Sequence, residues 1–221
     1  MKGAELITEF LIDEGVPYVF GICGHGNVGM LDALYDASDR IKLISPRHEQ
    51  TAGHMADAYY RVQHQPVATL TSCGPGSANL VMAMACALAD SSAFLALTAN
   101  VPTQQADRAP FQEVYRHNQS DFPAIIRPVV KRSYQAPRVD MLPTMLNHAM
   151  TTMTTGRPGP VNLDIPFNVF QEAADVSVPR ASRHGISSRT GASPADVAAL
   201  LDLPRPAARP PGCIRTGCAL A

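Results

Sequence analysis

Short apolar runs alternate with helical patterns along the first part of the chain. Residues 18–22, 41–44, 67–71 and 93–98 are predicted strands. A turn follows each of the first three, and then a segment whose apolar residues recur three and four positions apart. Strands that alternate with helices in this way are typical of a parallel sheet covered on both faces. We therefore predict a three-layer αβα fold with a mostly parallel sheet and helices on both faces.

The pattern begins before these strands and continues after a polar interruption. A helix is predicted at residues 4–14, and a polar loop occupies residues 100–122. A strand at 128–134, a helix at 141–153 and a last strand at 161–165 follow. The sequence therefore predicts one domain over residues 1–170.

The character of the chain changes after residue 170. Residues 171–193 are rich in Ser, Ala, Arg and Pro without a period, which predicts a linker. Residues 194–221 open with a helix at 195–201, capped by Ser193 and with proline at its first position. A run of Pro and Arg follows this helix and cannot form a central strand, so we expect a disordered tail.

Composition excludes several classes of function. The net charge of −1 argues against nucleic acid and anionic membranes as partners. No apolar run approaches the ~20 residues that a membrane span needs, and the N-terminus lacks the core of a signal peptide. Five scattered cysteines show no metal-binding spacing and fit a reducing compartment. These features predict a cytoplasmic location and no metal ligands.

Glu49 lies where a predicted strand ends and a predicted helix begins. Open α/β sheets bind their ligands at this edge, so the carboxylate is a candidate functional group. The alternative is that Glu49 only complements the helix dipole, which contributes ~0.3–1 kcal/mol. The surrounding residues leave both interpretations open.

Two glycine-rich turns, at residues 23–27 and 72–79, each follow a strand and open a helix. Turns of this kind bring backbone N–H groups close to a ligand. Neither turn matches a specific phosphate-binding fingerprint. They indicate a ligand-binding edge, or only tight strand–helix connections.

Several motifs, taken in order and at their spacing, resemble one known family. They are Arg47-His48-Glu49-Gln50-Thr51-Ala52, Ala56-Asp57-Ala58-Tyr59, residues 71–79, Asn100-Val101-Pro102, Phe111-Gln112-Glu113, residues 157–161 and Asp164-Ile165-Pro166. Together they resemble the pyrimidine-binding (PYR) domain of thiamine-diphosphate enzymes, in particular the acetolactate synthase large subunit. The resemblance covers residues 3–170.

The resemblance implies a function for individual residues. Glu49 would hydrogen-bond ring nitrogen N1′ of thiamine diphosphate and activate the cofactor, and Gln112 would assist catalysis. Phe111 and Gln112 would reach the substrate side. The implied cofactor-binding residues are Gly24, Gly26, Glu49, Thr71, Pro75, Gly76 and Asn79. The implied activity is that of a 2-keto-acid decarboxylase and carboligase.

Some residues depart from the pattern of acetolactate synthases. Cys23 replaces a usual proline, Asn100 a common glutamine, and Phe167 a substrate-facing lysine. The turn at 24–27 is also similar to relatives that hydrolyse cyclic diones. A cyclic-dione hydrolase, a sulfoacetaldehyde-type transferase and a non-catalytic flavodoxin-like module therefore remain alternatives.

The resemblance also implies partners that this sequence does not supply. The family holds the diphosphate through Mg²⁺ bound to a Gly-Asp-Gly domain, and the chain contains no Gly-Asp-Gly. We expect residues 194–221 to begin a truncated or frame-shifted middle domain, and the chain alone to be inactive. FAD occurs in the family, but no feature here supports it. A homodimer or tetramer is expected, with the small residues Ala52, Gly53 and Ala56 at the contact, or else a separate diphosphate-binding subunit.

Overall fold

Six parallel strands form a single sheet in the computed structural model, which describes residues 1–105, 122–179 and 193–202. The strands are β1 (Tyr18–Gly21), β2 (Lys42–Ile44), β3 (Val67–Thr71), β4 (Phe94–Asn100), β5 (Arg132–Gln135) and β6 (Val161–Pro166). They lie in the order β2-β1-β3-β4-β6-β5, and each neighbouring pair is parallel. The predicted fold class is therefore confirmed.

Helices cover both faces of this sheet. They are α1 (Gly3–Asp13), α2 (Val28–Asp36), α3 (Glu49–Gln63), α4 (Pro75–Ala78), α5 (Val81–Asp90), α6 (Phe122–Ile126), α7 (Leu142–Thr154), α8 (Phe167–Gln171) and α9 (Pro194–Asp202). Helices α1, α2, α7 and α8 contribute to the larger core cluster, and α3, α5 and α6 to the smaller one. Alternate residues of β4 belong to different clusters, with Leu95 and Leu97 in the first and Phe94 and Ala96 in the second. This alternation follows from the period of two along a strand.

Helix α3, which follows β2, carries a stripe of small residues that packs against another helix of the same chain. Ala52, Gly53 and Ala56 are buried, and a Cβ atom at Gly53 would overlap Ala83 of α5. Small side chains here let α3 and α5 of the same chain approach closely. The expectation that this stripe contacts a second chain is therefore wrong, because α5 already covers it.

Most predicted boundaries agree with the structure to within a few residues; α3 begins at Glu49 and β3 spans Val67–Thr71, as predicted. The predicted turn at residues 72–79 contains the short helix α4, and the helix predicted after it is α5. The N–H of Leu80 bonds to the carbonyl of Ser77, three residues back rather than four, which breaks the helical ladder. Strand β5 starts later than predicted because its first paired residue, Arg132, lies opposite Val161, the first residue of β6.

The residues that follow β6 form a short helix and then an isolated β-bridge. Helix α8 follows β6 directly and was not predicted. Lys2 and Ala173 then form an isolated antiparallel bridge, and Val176 and Val178 pack against the larger core. Ser193 caps α9 as predicted, since its hydroxyl accepts the N–H of Asp196 at 3.1 Å. The expected tail after residue 202 lies outside the described residues.

Candidate functional site

Glu49 is the first residue of α3, at the edge where the strands end. The preceding His48 caps the helix, because its Nδ1 accepts the N–H of Gln50 at 3.2 Å. This places the Glu49 carboxylate at the positive end of the helix dipole. The side chain of Asn79 donates a hydrogen bond to Glu49 Oε2 at 3.0 Å, which fixes the carboxylate from the neighbouring loop.

The turn after β3 brings backbone close to this carboxylate. A Cβ atom on Gly76 would lie 3.3 Å from Glu49 Oε1, closer than most such contacts. Glycine therefore leaves space beside the carboxylate where any other residue would place a side chain. Pro75, which opens α4, is exposed next to it.

The base of the same turn is held by buried hydroxyls. Ser77 Oγ donates to the carbonyl of Ser72 at 2.6 Å and lies 2.9 Å from Thr71 Oγ1. Both Thr71 and Ser77 are fully buried. Thr71 was predicted to bind the cofactor, but its hydroxyl lies in this internal network. The hydrogen bond between the Thr71 and Ser77 hydroxyls stabilises the base of the turn.

The turn after β1 packs directly onto the second turn. Gly24 lies so close to Ser72 that a Cβ atom on Gly24 would be 2.5 Å from Ser72 Oγ. The N–H of Gly26 donates to the same Ser72 Oγ at 3.2 Å. Asn27 closes the turn on itself, accepting the N–H of Gly24 at 3.0 Å and donating to the carbonyl of Ile22 at 2.9 Å.

Ser72 is thus the residue that joins the two turns, and sequence reasoning gave it no function. Its Cβ lies 3.5 Å from the position of a Cβ on Gly76, and Gly76 lies beside Glu49. Four of the predicted site residues, Gly24, Gly26, Gly76 and Glu49, are therefore brought together around one serine. The only feature of the sequence that could have identified Ser72 is its position at the end of β3, where the glycine-rich turn begins.

Two more of the matched motifs meet across the sheet. Asp164 of β6 is fully buried and accepts hydrogen bonds from Thr98 at 2.9 Å and from Asn100 at 2.5 Å. Gln135 of β5 donates to the same carboxylate at 3.1 Å. Asn100 Oδ1 also accepts the N–H of Val101 at 2.7 Å, which fixes the chain as it leaves β4. These hydrogen bonds satisfy a carboxylate that would be costly to bury alone.

The remaining predicted positions are outside the described residues. Phe111 and Gln112, expected on the substrate side, belong to the range 106–121. Across the part of the chain that is described, no group of three His, Cys, Asp or Glu side chains could hold a metal ion. No described helix has the length and apolar character to cross a membrane.

A six-stranded parallel sheet with a carboxylate and two glycine turns at its carboxyl edge defines the class. It is an open α/β domain, a class of fold that binds ligands where its strands end. The family described as thiamine pyrophosphate enzyme, N-terminal TPP binding domain, matches residues 1–122. This match covers more than half of the chain, and the chain belongs to that family.

Curated relatives agree with this assignment. The chain is 39% identical over 176 residues to the probable acetolactate synthase large subunit of Methanocaldococcus jannaschii, covering 80% of this chain and 28% of the relative. It is 35% identical over 173 residues to the acetolactate synthase isozyme 3 large subunit of Escherichia coli, covering 78% and 29%. It is 36% identical over 169 residues to the mitochondrial acetolactate synthase catalytic subunit of Saccharomyces cerevisiae, covering 76% and 24%. The chain thus spans less than a third of the length of these relatives.

Proposed function

We propose that this chain is the pyrimidine-binding part of a thiamine-diphosphate-dependent 2-keto-acid decarboxylase and carboligase that resembles acetolactate synthase. The observation that carries the proposal is the Glu49 carboxylate, held by Asn79 at the carboxyl edge with an open position beside Gly76. The family assignment and the names of the curated relatives support the same function.

The residues present fit the pyrimidine ring of the cofactor. Glu49 Oε2 is occupied by the Asn79 amide, and Oε1 lies next to Gly76, where the missing side chain leaves room. A flat heterocycle at this position would meet a carboxylate oxygen on its edge. The Gly24 and Gly26 turn, packed onto Ser72, would form the adjoining wall.

In this proposal Glu49 holds a proton at the pyrimidine ring nitrogen and so sets the protonation state of the ring. Asn79 keeps the carboxylate in place, and Ser72 keeps the two turns together. Thiamine diphosphate, when bound, supplies an electron sink for decarboxylation and carbon–carbon bond formation. Gln112 and Phe111 are proposed, from the resemblance alone, to contact the substrate.

The diphosphate and Mg²⁺ are proposed to bind a domain outside this chain, because the sequence contains no Gly-Asp-Gly. Mg²⁺ needs several oxygen ligands in near-octahedral order. This chain alone would then bind the cofactor weakly and be inactive, and submicromolar affinity measured by calorimetry would contradict the point. Three free cysteines among the described residues support a reducing compartment such as the cytoplasm.

Self-association is proposed through the outer surface of α3 and α5, in place of the stripe that α5 covers. Met82 is 58% exposed and Val62 is 74% exposed on these helices. Each helix thus exposes a large apolar side chain that a contact with a second copy would bury. Sedimentation that shows only monomer at high micromolar concentration would count against this arrangement.

The proposal is tested with Glu49→Gln in the enzyme that includes the diphosphate-binding domain. Glutamine keeps the size of the side chain but cannot transfer a proton, so we expect turnover of pyruvate to fall by about 10²–10⁴. Glu14→Gln is the matched control, because Glu14 is also partly buried but lies at the other edge of the sheet. The function would be refuted if Glu49→Gln and Glu14→Gln both kept the turnover of the parent enzyme.

A further inference from the structure

The chain that leaves β4 is hydrogen-bonded to the strand and the helix that follow it in the sequence, β6 and α8. Asn100, the last residue of β4, donates to the buried carboxylate of Asp164 in β6 at 2.5 Å. Three residues later Thr103 opens a 3₁₀ turn, and its N–H donates to Asn168 Oδ1 of α8 at 2.8 Å. The start of the connection after β4 is therefore held at two points.

The side chain of Asn168 uses its oxygen and both of its amide hydrogens in this region. Its Oδ1 accepts from Thr103, and its Nδ2 donates to Thr103 Oγ1 at 3.0 Å and to Glu172 Oε1 at 2.7 Å. A reversed amide would place Nδ2 against the Thr103 N–H and Oδ1 against the Glu172 carboxylate, so these partners fix its orientation. Asn168 thus holds Thr103 by its backbone and by its side chain.

Helix α8 is itself anchored in the domain. The two residues after Asn168, Val169 and Phe170, are fully buried in the larger core cluster. The N–H of Glu172 donates to the carbonyl of Asn168 at 2.8 Å, and the carbonyl of Glu172 accepts the N–H of Gly3, the first residue of α1, at 3.1 Å. Asn168 therefore has a fixed position relative to the sheet, and its hydrogen bonds give Thr103 a fixed position as well.

We propose that Asn168 is a positioning residue for Gln112 and acts by fixing the direction of the chain at Thr103. This inference rests on the proposed function, in which Gln112 contacts the substrate. Gln112 follows Thr103 by nine residues in the sequence. Thr103 is exposed, so its hydrogen bonds to Asn168, and not burial, hold it in place. Such control matters because a displacement of about 1 Å at a reacting group reduces the rate by about a hundredfold.

The first test measures kcat and KM for pyruvate in the enzyme that includes the diphosphate-binding domain. Asn168→Ala is expected to lower kcat/KM by about tenfold. Thr103→Val keeps the backbone hydrogen bond and loses only the hydroxyl, so a smaller loss is expected. Asn147→Ala is the matched control, since Asn147 is also a half-buried helical asparagine but its Oδ1 has no partner among the described residues. Parent-like kcat/KM in Asn168→Ala would overturn the inference.

A double-mutant cycle tests whether Asn168 acts through Gln112. In a Gln112→Ala background, Asn168→Ala is expected to lower kcat/KM by less than about twofold, because the residue that it positions is already absent. The same tenfold loss in both backgrounds would overturn the inference, since Asn168 would then act independently of Gln112.

A second readout separates this inference from the proposed function. Exchange of the cofactor C2 proton with solvent, measured by NMR without substrate, depends on Glu49 and is expected to stay unchanged in Asn168→Ala. Loss of this exchange in Asn168→Ala would overturn the inference, because Asn168 would then act on the cofactor. Absent exchange in the parent enzyme would refute the proposed function and the inference with it. Normal exchange together with parent-like kcat/KM in Asn168→Ala refutes the inference alone.

The hydrogen bond to Thr103 is observable in this chain by amide hydrogen exchange. Asn168→Ala is expected to speed exchange of the Thr103 N–H by about tenfold or more, while the other amides report that the variant folds. Asn168→Asp keeps the acceptor but sets a carboxylate against Glu172, and adding Glu172→Gln restores a donor between them. This pair is expected to recover slow exchange and the parent kcat/KM, and it carries the test if Asn168→Ala does not fold. Unchanged exchange at Thr103 in Asn168→Ala, or no recovery in the pair, would overturn the inference.

Discussion

The two edges of the sheet use glycine for different physical reasons. At the carboxyl edge, Gly24 and Gly26 are glycines because the turn after β1 packs against Ser72 and Ala99 with no space for a Cβ. At the amino edge, Gly15 has open surroundings but a φ of +74° at the end of α1. Gly24 and Gly26 are required for close approach, and Gly15 is required for a left-handed backbone.

The helix ends explain this contrast. In strand–helix units the helices begin at the carboxyl edge and end at the amino edge. His64 and Ser91 have φ values of 53° and 63°, and they end α3 and α5 as Gly15 ends α1. Arg157 closes α5 further, donating to the carbonyls of Leu88 and Ala89. The amino edge is therefore closed by caps, and the carboxyl edge carries the Glu49 carboxylate beside the open position at Gly76.

Gly24→Ala should have the largest effect and tests whether close packing is essential at the carboxyl edge. The new methyl group would overlap Ser72, and relief of such overpacking costs about 3 kcal/mol of unfolding free energy. Urea denaturation of this chain measures the loss. Adding Ser72→Gly to Gly24→Ala should recover part of it, because the overlapping side chain is removed. A parent-like midpoint in Gly24→Ala would show that the turns do not pack as described.

Gly15→Ala tests whether backbone conformation, and not close packing, requires glycine at the amino edge. The surroundings offer space for a methyl group, with Gln65 Nε2 as the nearest atom at 3.7 Å, but the φ of +74° disfavours any L side chain. We expect a loss of about 1–2 kcal/mol of unfolding free energy. Gly15→Asn is the matched variant and should lose less, because asparagine tolerates this conformation. Equal losses for alanine and asparagine would point to packing instead of dihedral strain.

Glu14→Gln should have the smallest effect and depends on pH. Burial, with the nearby Asp13 carboxylate, raises the pKa of Glu14 from 4.5 to about 7. Below pH 4.5 the carboxyl is protonated in the folded and unfolded states and its ionisation does not affect stability. Between pH 4.5 and 7 only the unfolded state loses the proton, so the folded state loses stability as pH rises.

Glutamine carries no charge at any pH and removes this loss. Glu14→Gln should therefore gain stability relative to the parent as pH rises from 4.5 to 7 and keep that gain above pH 7. Because the carboxyl is only about half buried, we expect about 1 kcal/mol after allowance for solvent screening. Thermal unfolding of both proteins at pH 4 and pH 8 measures it. A difference that does not change with pH would contradict the raised pKa.

Local patterns predicted most of the fold because they depend on neighbours in the sequence. Periodicity and capping were sufficient for α3, β3 and the Ser193 cap of α9. Helix α8 was missed because five residues, Phe167–Gln171, are too short to show a helical period. Helix α4 was missed because its four residues, Pro75–Ala78, are too short to show a helical period and lie within the predicted turn.

For the candidate site, the sequence determined the residue types: a glutamate at a strand–helix junction, two glycine turns, and motifs in the order of a known family. Tertiary structure decided which of them meet. Ser72 joins the two turns, and Asn79 reaches Glu49 across 30 residues of sequence. His25, after β1, stacks on Phe167, after β6, although β3 and β4 lie between these two strands. Thr71 was assigned to the cofactor from the sequence, and tertiary structure places its hydroxyl beside that of Ser77 in the internal network. The physical reason is that these contacts depend on strand order, and strand order is fixed by how the two faces of the sheet are buried rather than by any local pattern.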